Sequence, residues 1–341
     1  MRFAQLPVMS VWWDACMRTV QITRLDGPSA LETAEVPEPL ATDNQVLIDV
    51  HSAGVTFPDL LMTRGEYQLK PPLPFTPGCE VAGTVVSAPA DSGLETGDRV
   101  AAFTMLNGYG EQVVVDPDFV FALPNDFSFD EGAALPMNYL TVEFALFTRG
   151  RLRADETVLV HGAAGGVGTA AIQVAKAAGA RVIAVVSTRE KGAVAAAAGA
   201  DEWVLVDGFA QAVKDLTGGR GVDIVVDPVG GDRFTDSLRS LAPEGRLLVI
   251  GFTAGEIPSV KVNRLLLNNI DVVGVAWGSF AFTRPGYLGG QWPKIRELIA
   301  TGRIRPPIGD IYPLAQTGAA IGELSERVAT GKVIVRVKEA S

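Results

Sequence analysis

The stretch Thr157-Val-Leu-Val-His-Gly-Ala-Ala-Gly-Gly-Val-Gly168 decides the fold, because an apolar strand runs directly into a glycine-rich turn. The pattern predicts a helix that begins near Val167. Glycine at 165 lets the main chain approach a phosphate, glycine at 168 lets the helix pack closely, and the unpaired amides of the helix start attract anions. Ala163 stands where the usual fingerprint has its first glycine. The predicted pyrophosphate site is formed by Ala164, Gly165, Gly166, Val167 and Gly168.

The chain after this turn has the spacing of a doubly wound nucleotide-binding sheet. The helix is predicted to end near Ala178, with Gly179 as its left-handed C-cap. Further apolar strands are predicted at 181–186, 204–206, 222–226, 246–250 and 271–276, with helices such as 210–216 and 234–241 between most of them. Six strands alternating with helices predict an α/β fold with a parallel sheet of the Rossmann type.

The end of the second strand bears on the choice of cofactor. NAD-specific sites place a carboxylate there, which accepts hydrogen bonds from the ribose hydroxyls. This chain instead has Ser187, followed by Thr188, Arg189, Glu190 and Lys191. Hydroxyls and cations suit a 2′-phosphate better than a carboxylate does, so Ser187, Thr188 and Lys191 predict NADPH. Glu190 is the acidic residue in this group, and it has two interpretations. It either pairs with a neighbouring cation or complements the dipole of the next helix.

Length and composition exclude several classes of function. The 341 residues are 48% hydrophobic and 20% charged, which is typical of a globular protein with more than one core. A net charge of −10 argues against nucleic-acid binding. No apolar run reaches the ~18 residues of a membrane span. The two cysteines, Cys16 and Cys79, form no disulfide framework, which favours the reducing cytoplasm.

The predicted domains interleave along the chain. Residues 1–16 read as an N-terminal extension. Residues 17–138 contain short strands, at 45–50, 80–87, 99–103 and 112–115, separated by proline and glycine turns, which is an all-β pattern. The nucleotide-binding unit is placed at 139–305. Residues 306–341 end in an apolar segment at 332–337, which is predicted to return to the first domain as a strand.

At this point the chain resembles the medium-chain dehydrogenase/reductase superfamily, and within it the zinc-independent quinone oxidoreductase branch. The resemblance extends over nearly the whole chain from Met17 and depends on six motifs taken together. They are Ala53-Gly-Val-Thr-Phe-Pro-Asp-Leu-Leu61, Arg64-Gly-Glu-Tyr67, Pro74-Phe-Thr-Pro-Gly-Cys-Glu-Val-Ala-Gly83, Gly97-Asp-Arg-Val100, Leu135-Pro-Met-Asn-Tyr-Leu-Thr141 and His161-Gly-Ala-Ala-Gly-Gly-Val-Gly168. The resemblance implies a GroES-like β-barrel that holds substrate, a Rossmann domain that holds NADPH, and a cleft between them.

The resemblance also bears on metal binding. Zinc-dependent relatives have a cysteine where this chain has Thr56, and a histidine where it has Cys79. Two cysteines are too few for their four-cysteine structural lobe. The histidines are predicted to be packed and neutral, since His51 lies within a strand and His161 ends one. No zinc is therefore expected.

Without a Lewis acid, the chemistry that remains is hydride addition to an activated acceptor. We expect an enzyme that passes hydride from NADPH to a quinone or an α,β-unsaturated carbonyl. The candidate catalytic residues are Thr56, Tyr67 and Asn138, on segments that face the cleft in the family. Thr56 equally fits a capping box with Asp59, and Tyr67 equally fits a packed aromatic side chain.

The resemblance adds cofactor contacts beyond the glycine turn: Thr141, Gly251, Phe252, Thr253 and Arg327. Asn138 and Thr141 either position nicotinamide or cap a helix, and Arg327 is otherwise a surface arginine. An enoyl-CoA reductase is the nearest alternative function, although its candidate cations, Arg64, Lys70 and Arg284, are scattered. The other alternative is an NADPH-binding protein without turnover. Family members commonly form homodimers through the strand at 271–277, and 280–291 is predicted as a loop that shapes the pocket.

Overall fold

The structure is a computed structural model that describes residues 15–338. Strands and helices alternate regularly only after residue 157. This agrees with the all-β pattern predicted before the glycine turn and the alternating pattern predicted after it. The strands are β1 (Cys16–Ile22), β2 (Leu31–Pro37), β3 (Val46–Gly54), β4 (Glu80–Ser87), β5 (Arg99–Phe103), β6 (Gln112–Val115), β7 (Val120–Ala122), β8 (Thr157–Val160), β9 (Arg181–Val186), β10 (Glu202–Leu205), β11 (Val222–Asp227), β12 (Leu241–Val249), β13 (Asp271–Gly274), β14 (Ile308–Pro313) and β15 (Lys332–Arg336).

The longest helices follow residue 157. The α-helices are α1 (Phe57–Thr63), α2 (Phe129–Gly132), α3 (Pro136–Glu143), α4 (Gly166–Ala177), α5 (Arg189–Ala197), α6 (Phe209–Leu216), α7 (Phe234–Arg239), α8 (Asn263–Asn268), α9 (Trp277–Phe282), α10 (Tyr287–Ala300) and α11 (Thr317–Glu326). A π-helical turn, Phe144–Arg149, continues α3.

Six strands form the nucleotide-binding sheet in the order β10-β9-β8-β11-β12-β13. Every neighbouring pair is parallel. This order confirms the predicted Rossmann sheet, and it places the carboxyl ends of β8 and β9 side by side, where the fold binds dinucleotides. The central strands β8, β9 and β11 are almost completely buried, because helices cover both faces of the sheet.

The other main sheet is the GroES-like one, in the order β14-β15-β3-β4-β5-β7, with β6 also pairing with β3. Strand β15 lies antiparallel to β3, with Val335 opposite Ala53. The prediction that the last strand returns to the first domain is therefore confirmed. Strands β1 and β2 form a separate antiparallel pair. The residue boundaries between the two domains stay predictions.

Each sheet has its own apolar core, and a third set of side chains joins them. Val46, Ile48 and Val335 are fully buried in the GroES-like core, and Ile183 and Val225 in one face of the parallel sheet. The largest cluster contains residues of both units, from α3, α4, α9 and α10. Helix α3 is therefore held between the two sheets, and its amino-terminal half lies at the cleft.

Three predicted elements differ from the structure. The sequence pattern places Cys16 in the extension, but this residue begins β1, and residues 1–14 of that extension lie outside the described residues. Strand β12 begins at Leu241, earlier than predicted, so α7 ends at Arg239. The segment 280–291 is mostly helical rather than a loop, because Phe280 and Tyr287 pack on Phe144.

Candidate functional site

The glycine turn forms the floor of the cleft between β8 and α4. Gly165 is the N-cap of α4 in an extended conformation, and no side chain caps this helix start. A Cβ on Gly168 would lie 2.2 Å from the Gly162 carbonyl oxygen, so only glycine fits there. A Cβ on Gly165 would meet only that oxygen, at 3.5 Å. Space is therefore open beside Gly165 and the uncapped amides, as a pyrophosphate requires.

Asn138 lies directly against this turn. Its side chain is buried, and a Cβ on Gly166 would lie 2.5 Å from its amide nitrogen. The residue occupies the first turn of α3, whose start is held by a hydrogen bond from the Met137 amide to Glu80 Oε2 at 2.7 Å. Thr141 follows one turn later and is half-buried. The predicted residues Asn138 and Thr141 thus lie on the helix between the two sheets.

The carboxyl end of β9 has the polar side chains that the sequence predicts for a ribose site. Ser187 and Thr188 are exposed, and Thr188 caps α5 by accepting a hydrogen bond from the Lys191 amide at 3.3 Å. Glu190 lies in the first turn of α5, where its own amide and the Thr188 hydroxyl lower the pKa of its carboxyl. This position supports the helix-dipole interpretation of Glu190.

Lys191 makes a contact that the sequence does not predict. Its Nζ donates a hydrogen bond to the main-chain oxygen of Arg327 at 2.6 Å. Arg327 follows α11 with a left-handed φ of 59°, and its Nη2 donates to the Ala254 oxygen at 2.9 Å. The arginine is exposed, and it is bonded to the first turn of α5 and to the loop after β12.

The loop after β12 borders the opposite side of the cleft. Gly251, Phe252 and Thr253 are half-buried, and the Thr253 amide donates to the Pro228 oxygen at 3.1 Å. Phe252 packs so closely that a Cβ on Gly230 would lie 2.9 Å from its ring. This places the predicted segment at the carboxyl edge of the sheet, on the other side of β8 from the β9 end.

A buried carboxylate organises the GroES-like side of the cleft. Asp59 Oδ2 accepts hydrogen bonds from the Thr56 amide at 2.8 Å, the Thr56 hydroxyl at 2.6 Å and the Tyr109 hydroxyl at 2.9 Å. Asp59 Oδ1 accepts from the Gly78 amide at 3.1 Å and lies 3.6 Å from the Cys79 sulfur. Burial raises the pKa of Asp59. In the sequence Asp59 stands out only as a capping partner, because Gly78 and Tyr109 are distant along the chain.

One predicted catalytic residue, Thr56, bonds this carboxylate, and a second, Tyr67, packs against the cluster that contains Cys79. The capping box between Thr56 and Asp59 is present, and the Thr56 hydroxyl directs its hydrogen to Asp59. Tyr67 is half-buried, and burial raises the pKa of its hydroxyl, as do the nearby Cys79 and Asp59. Thr56 and Tyr67 therefore both lie on the GroES-like side of the cleft, while Asn138 lies at the glycine turn.

A buried ion pair lies beneath these residues. Lys332 Nζ donates to Glu80 Oε1, and the two side chains are 4% and 0% exposed. Glu80 follows Cys79 directly, and Lys332 follows Gly331, so the pair ties the substrate side of the cleft to the start of β15. Burial raises the pKa of Glu80, although Lys332 opposes that shift.

Both histidines pack against other side chains of the fold. His51 stacks on Phe129 with ring centroids 4.1 Å apart, and burial lowers its pKa. His161 is fully buried, with Nε2 2.8 Å from the Ser237 hydroxyl, and burial followed by the charge of Arg233 lowers its pKa to about 3. Within residues 15–338, no three His, Cys, Asp or Glu side chains are grouped to share a metal ion.

A cavity at the same edge of the parallel sheet has no counterpart in the sequence predictions. Its volume is about 250 Å³, and its lining includes Asp207 and Phe209 after β10 and Asp232 and Arg233 after β11. The Arg233 Nε atom is buried without a hydrogen-bond partner. No motif marks this cavity in the sequence, because its walls come from two loops that meet only in the folded sheet.

Comparison with known proteins agrees with this geometry. The sequence profile described as "Alcohol dehydrogenase GroES-like domain" matches residues 42–125, and the one described as "Zinc-binding dehydrogenase" matches residues 166–300. "Quinone oxidoreductase-like protein 2" of Rattus norvegicus is 38% identical over 325 residues, covering 94% of this chain and 92% of the relative.

Solved structures of oxidoreductases are also similar to this chain. A probable oxidoreductase from Mycobacterium abscessus is 46% identical, with a TM-score of 0.87 over 95% of this chain and 99% of the other. The quinone oxidoreductase from Thermus thermophilus, solved also in complex with NADPH, is 36% identical, with a TM-score of 0.82 over 94% and 100%. The chain therefore belongs to the quinone oxidoreductase group of the medium-chain dehydrogenase/reductase superfamily. Its role is that of an oxidoreductase that uses a nicotinamide cofactor.

Along residues 15–338, no helix has both the length and the apolar character needed to cross a membrane.

Proposed function

We propose that the protein transfers hydride from NADPH to a quinone or an α,β-unsaturated carbonyl, without zinc. The observation that carries the proposal is the open space beside Gly165, at the start of α4, where no side chain caps the helix. The end of β9 lies beside this space, because β8 and β9 are neighbours in the sheet. The residues fit a dinucleotide there, with its pyrophosphate on the amides of α4. When bound, the cofactor supplies the hydride.

The β9 end supports NADPH over NADH. Ser187 replaces the carboxylate that would bind ribose hydroxyls, and the side chains of Ser187 and Thr188 are exposed to a ligand. Lys191 offers an ammonium group on the same turn of chain. Hydroxyl donors beside a cation suit a phosphate, whereas a carboxylate would repel one. The related Thermus thermophilus enzyme was solved in complex with NADPH.

The side chains around Asp59 support the zinc-free part of the proposal. Thr56 and Cys79 stand at two positions that hold zinc in related enzymes, and both direct their hydrogens toward Asp59. A hydroxyl and a protonated thiol are poor zinc ligands. Burial, followed by the charge of Asp59, holds the pKa of Cys79 well above its usual range.

The acceptor's oxygen gains negative charge when hydride reaches the conjugated carbon. Tyr67 is the candidate donor to this oxygen, because it is half-buried and packs against the cluster that contains Cys79. Burial keeps the Tyr67 proton in place until the enolate forms, and proton transfer then gives the reduced product. Asn138 lies at the turn where it can orient the nicotinamide end of the site.

The first experiment follows oxidation of NADPH and NADH in the presence of 1,4-benzoquinone, 9,10-phenanthrenequinone, an enal, crotonyl-CoA and a simple ketone, each with and without EDTA. We expect turnover of quinone or enal that prefers NADPH and is unchanged by EDTA. Gly165→Asp serves as the inactive control, because it places a carboxylate in the phosphate space.

Other outcomes have defined meanings. Loss of activity in EDTA, restored by zinc, would contradict the zinc-free proposal. Preferential turnover of crotonyl-CoA would favour an enoyl-CoA reductase, although Arg64 bonds Ser325 and Arg284 covers the Phe280 ring, so two of its candidate cations have other partners. NADPH binding without any turnover would favour a binding protein.

A cytoplasmic location stays a proposal that depends on the sparse cysteines.

We also propose a homodimer through the edge of the parallel sheet. Strand β13 is the last strand of that sheet, and Val272 on it is 36% exposed. The neighbouring helix α8 exposes Leu266 and Leu267 at 76% and 74%. An apolar edge strand needs cover, and a second copy provides it by extending the sheet.

The dimer proposal predicts that Val272→Lys gives a monomer in light scattering, since edge lysines oppose strand pairing. Leu40→Lys is the matched control, because Leu40 is 91% exposed and lies outside the parallel sheet. We expect the control to stay dimeric. A monomeric unsubstituted protein at micromolar concentration would contradict the proposal.

A further inference from the structure

Asn138 is a buried polar side chain that lacks a hydrogen-bond partner in the protein. It is 7% exposed, and its side-chain amide makes no hydrogen bond to any residue of 15–338. Buried side-chain amides are normally bonded, because an amide without a partner loses the hydrogen bonds that water would supply. The N–H groups and the oxygen of Asn138 are therefore available to a ligand in the cleft.

The Asn138 amide lies against the first residue of α4. A Cβ on Gly166 would lie 2.5 Å from its Nδ2, 3.2 Å from its Cγ and 3.3 Å from its Oδ1. The dinucleotide-binding motif requires glycine at the positions of Gly165 and Gly168, but not at the position between them. The contact with Asn138 explains why glycine also stands at 166.

The neighbours of Asn138 on α3 hold it in this place. The Met137 amide donates to Glu80 Oε2 on β4 at 2.7 Å, and the Tyr139 hydroxyl donates to Gln173 Oε1 on α4 at 2.7 Å. The residues on both sides of Asn138 are therefore bonded to the two units that border the cleft. A side chain on such a fixed support loses little conformational freedom when a ligand binds.

The chemistry of the amide favours a phosphate as its ligand. The main-chain amides in the first turn of α4 are uncapped and attract anions. Asn138 can direct either Nδ2 or Oδ1 at a ligand, and an anion selects Nδ2, because only the N–H group donates. A hydrogen bond to a phosphate is charge-assisted, so it is stronger than a bond from the same amide to the neutral dihydronicotinamide group.

We propose that Asn138 is a pyrophosphate-binding residue, whose Nδ2 donates to a phosphate oxygen beside the amides of α4. This inference rests on the dinucleotide site of the proposed function. It does not depend on the choice between NADPH and NADH, because both carry the pyrophosphate. The contact with Gly166 thus assigns Asn138 to the phosphates rather than to the nicotinamide end of the site.

The test compares the affinities of NADPH and of ADP-ribose 2′-phosphate by calorimetry. The second ligand keeps the pyrophosphate but lacks nicotinamide. We expect Asn138→Ala to weaken both ligands by the same factor, about tenfold or more, since one charge-assisted hydrogen bond is lost. Asn44→Ala is the matched control, because Asn44 is an exposed asparagine in the loop before β3. The control should bind both ligands as the unsubstituted protein does.

Asn138→Asp separates the hydrogen bond from the shape of the side chain. Aspartate has nearly the same shape, but it replaces the N–H donor with a carboxylate. We expect this variant to weaken both ligands more than Asn138→Ala does at pH 8, because a like charge repels the phosphates. Binding as tight as that of the unsubstituted protein would show that Asn138 acts by shape alone, and the proposal would be wrong.

The remaining outcomes distinguish this inference from the proposed function. If Asn138→Ala weakens NADPH but not ADP-ribose 2′-phosphate, the residue acts on nicotinamide, and its assignment to the pyrophosphate is wrong. Unchanged affinities for both ligands also overturn it. If the unsubstituted protein prefers NADH, the same comparison is made with NADH and ADP-ribose. If it binds none of these four ligands, the dinucleotide site itself is wrong, and this inference fails with it.

Discussion

Lys332→Met is expected to lower the free energy of unfolding by about 3–5 kcal/mol at neutral pH, because it leaves Glu80 as an unpaired buried charge. Both side chains of the pair are almost completely buried. Chemical denaturation monitored by circular dichroism measures the effect. The loss should shrink as the pH falls, because protonation of Glu80 removes the uncompensated charge, and burial already raises the pKa of this carboxyl.

The double variant Glu80→Gln/Lys332→Met tests the cause. A glutamine oxygen can still accept the hydrogen bond from the Met137 amide. We therefore expect the double variant to regain most of the free energy of unfolding that Lys332→Met loses. Lys338→Met is the matched control, since Lys338 pairs with Asp49 at 2.5 Å but is 37% exposed, and its loss should cost under about 1 kcal/mol. Equal losses for Lys332→Met and Lys338→Met would show that burial of the pair is unimportant.

Gly165→Asp is expected to weaken dinucleotide binding about a thousandfold while leaving the protein as stable as before, because a like charge near 4 Å costs about 4 kcal/mol at an effective dielectric constant of about 20. The carboxylate would project into the phosphate space. Gly165 has the extended conformation of an N-cap, which aspartate adopts readily, and its Cβ meets no close neighbour. Aspartate also caps helices well. Calorimetry with NADPH and thermal denaturation measure the two effects.

Two further variants identify the origin of that loss. Gly165→Asn has nearly the same shape without the charge, so it should retain more affinity than Gly165→Asp. Gly168→Ala should instead destabilise the protein, because its Cβ would lie 2.6 Å from the Ala163 Cα. Retention of NADPH binding by Gly165→Asp would mean that the pyrophosphate does not lie at this turn.

The parts of the fold that depend on local pattern were predictable from the sequence. The apolar runs at 157–160 and 181–186 are adjacent parallel strands, since strands of a covered sheet are apolar throughout. The glycine turn is recognisable because Gly165 and Gly168 have separate steric roles that a motif records. The Thr56 capping box was also predictable, because both of its partners lie within four residues.

The candidate site was only partly predictable, because its contacts join distant segments. Asp59 binds Gly78 and Tyr109, and no spacing rule links these three positions. The bond between Lys191 and the Arg327 oxygen depends on a main-chain atom, which every residue type carries. The loop prediction for 280–291 was wrong because Phe280 and Tyr287 contact each other and Phe144, and most of the segment lies in α9 and α10.

The antiparallel pairing of β15 with β3 has a consequence for synthesis of the protein in the cell. All six strands of the parallel sheet leave the ribosome before β14 and β15 are made. The GroES-like sheet needs Val335 opposite Ala53, so the carboxyl end of β3 stays unpaired on this edge until β15 has been made. During that interval the part of the β3 edge that β6 does not cover is exposed to aggregation, whereas the nucleotide-binding sheet can already close. We expect nascent chains to require chaperone protection mainly through their amino-terminal third.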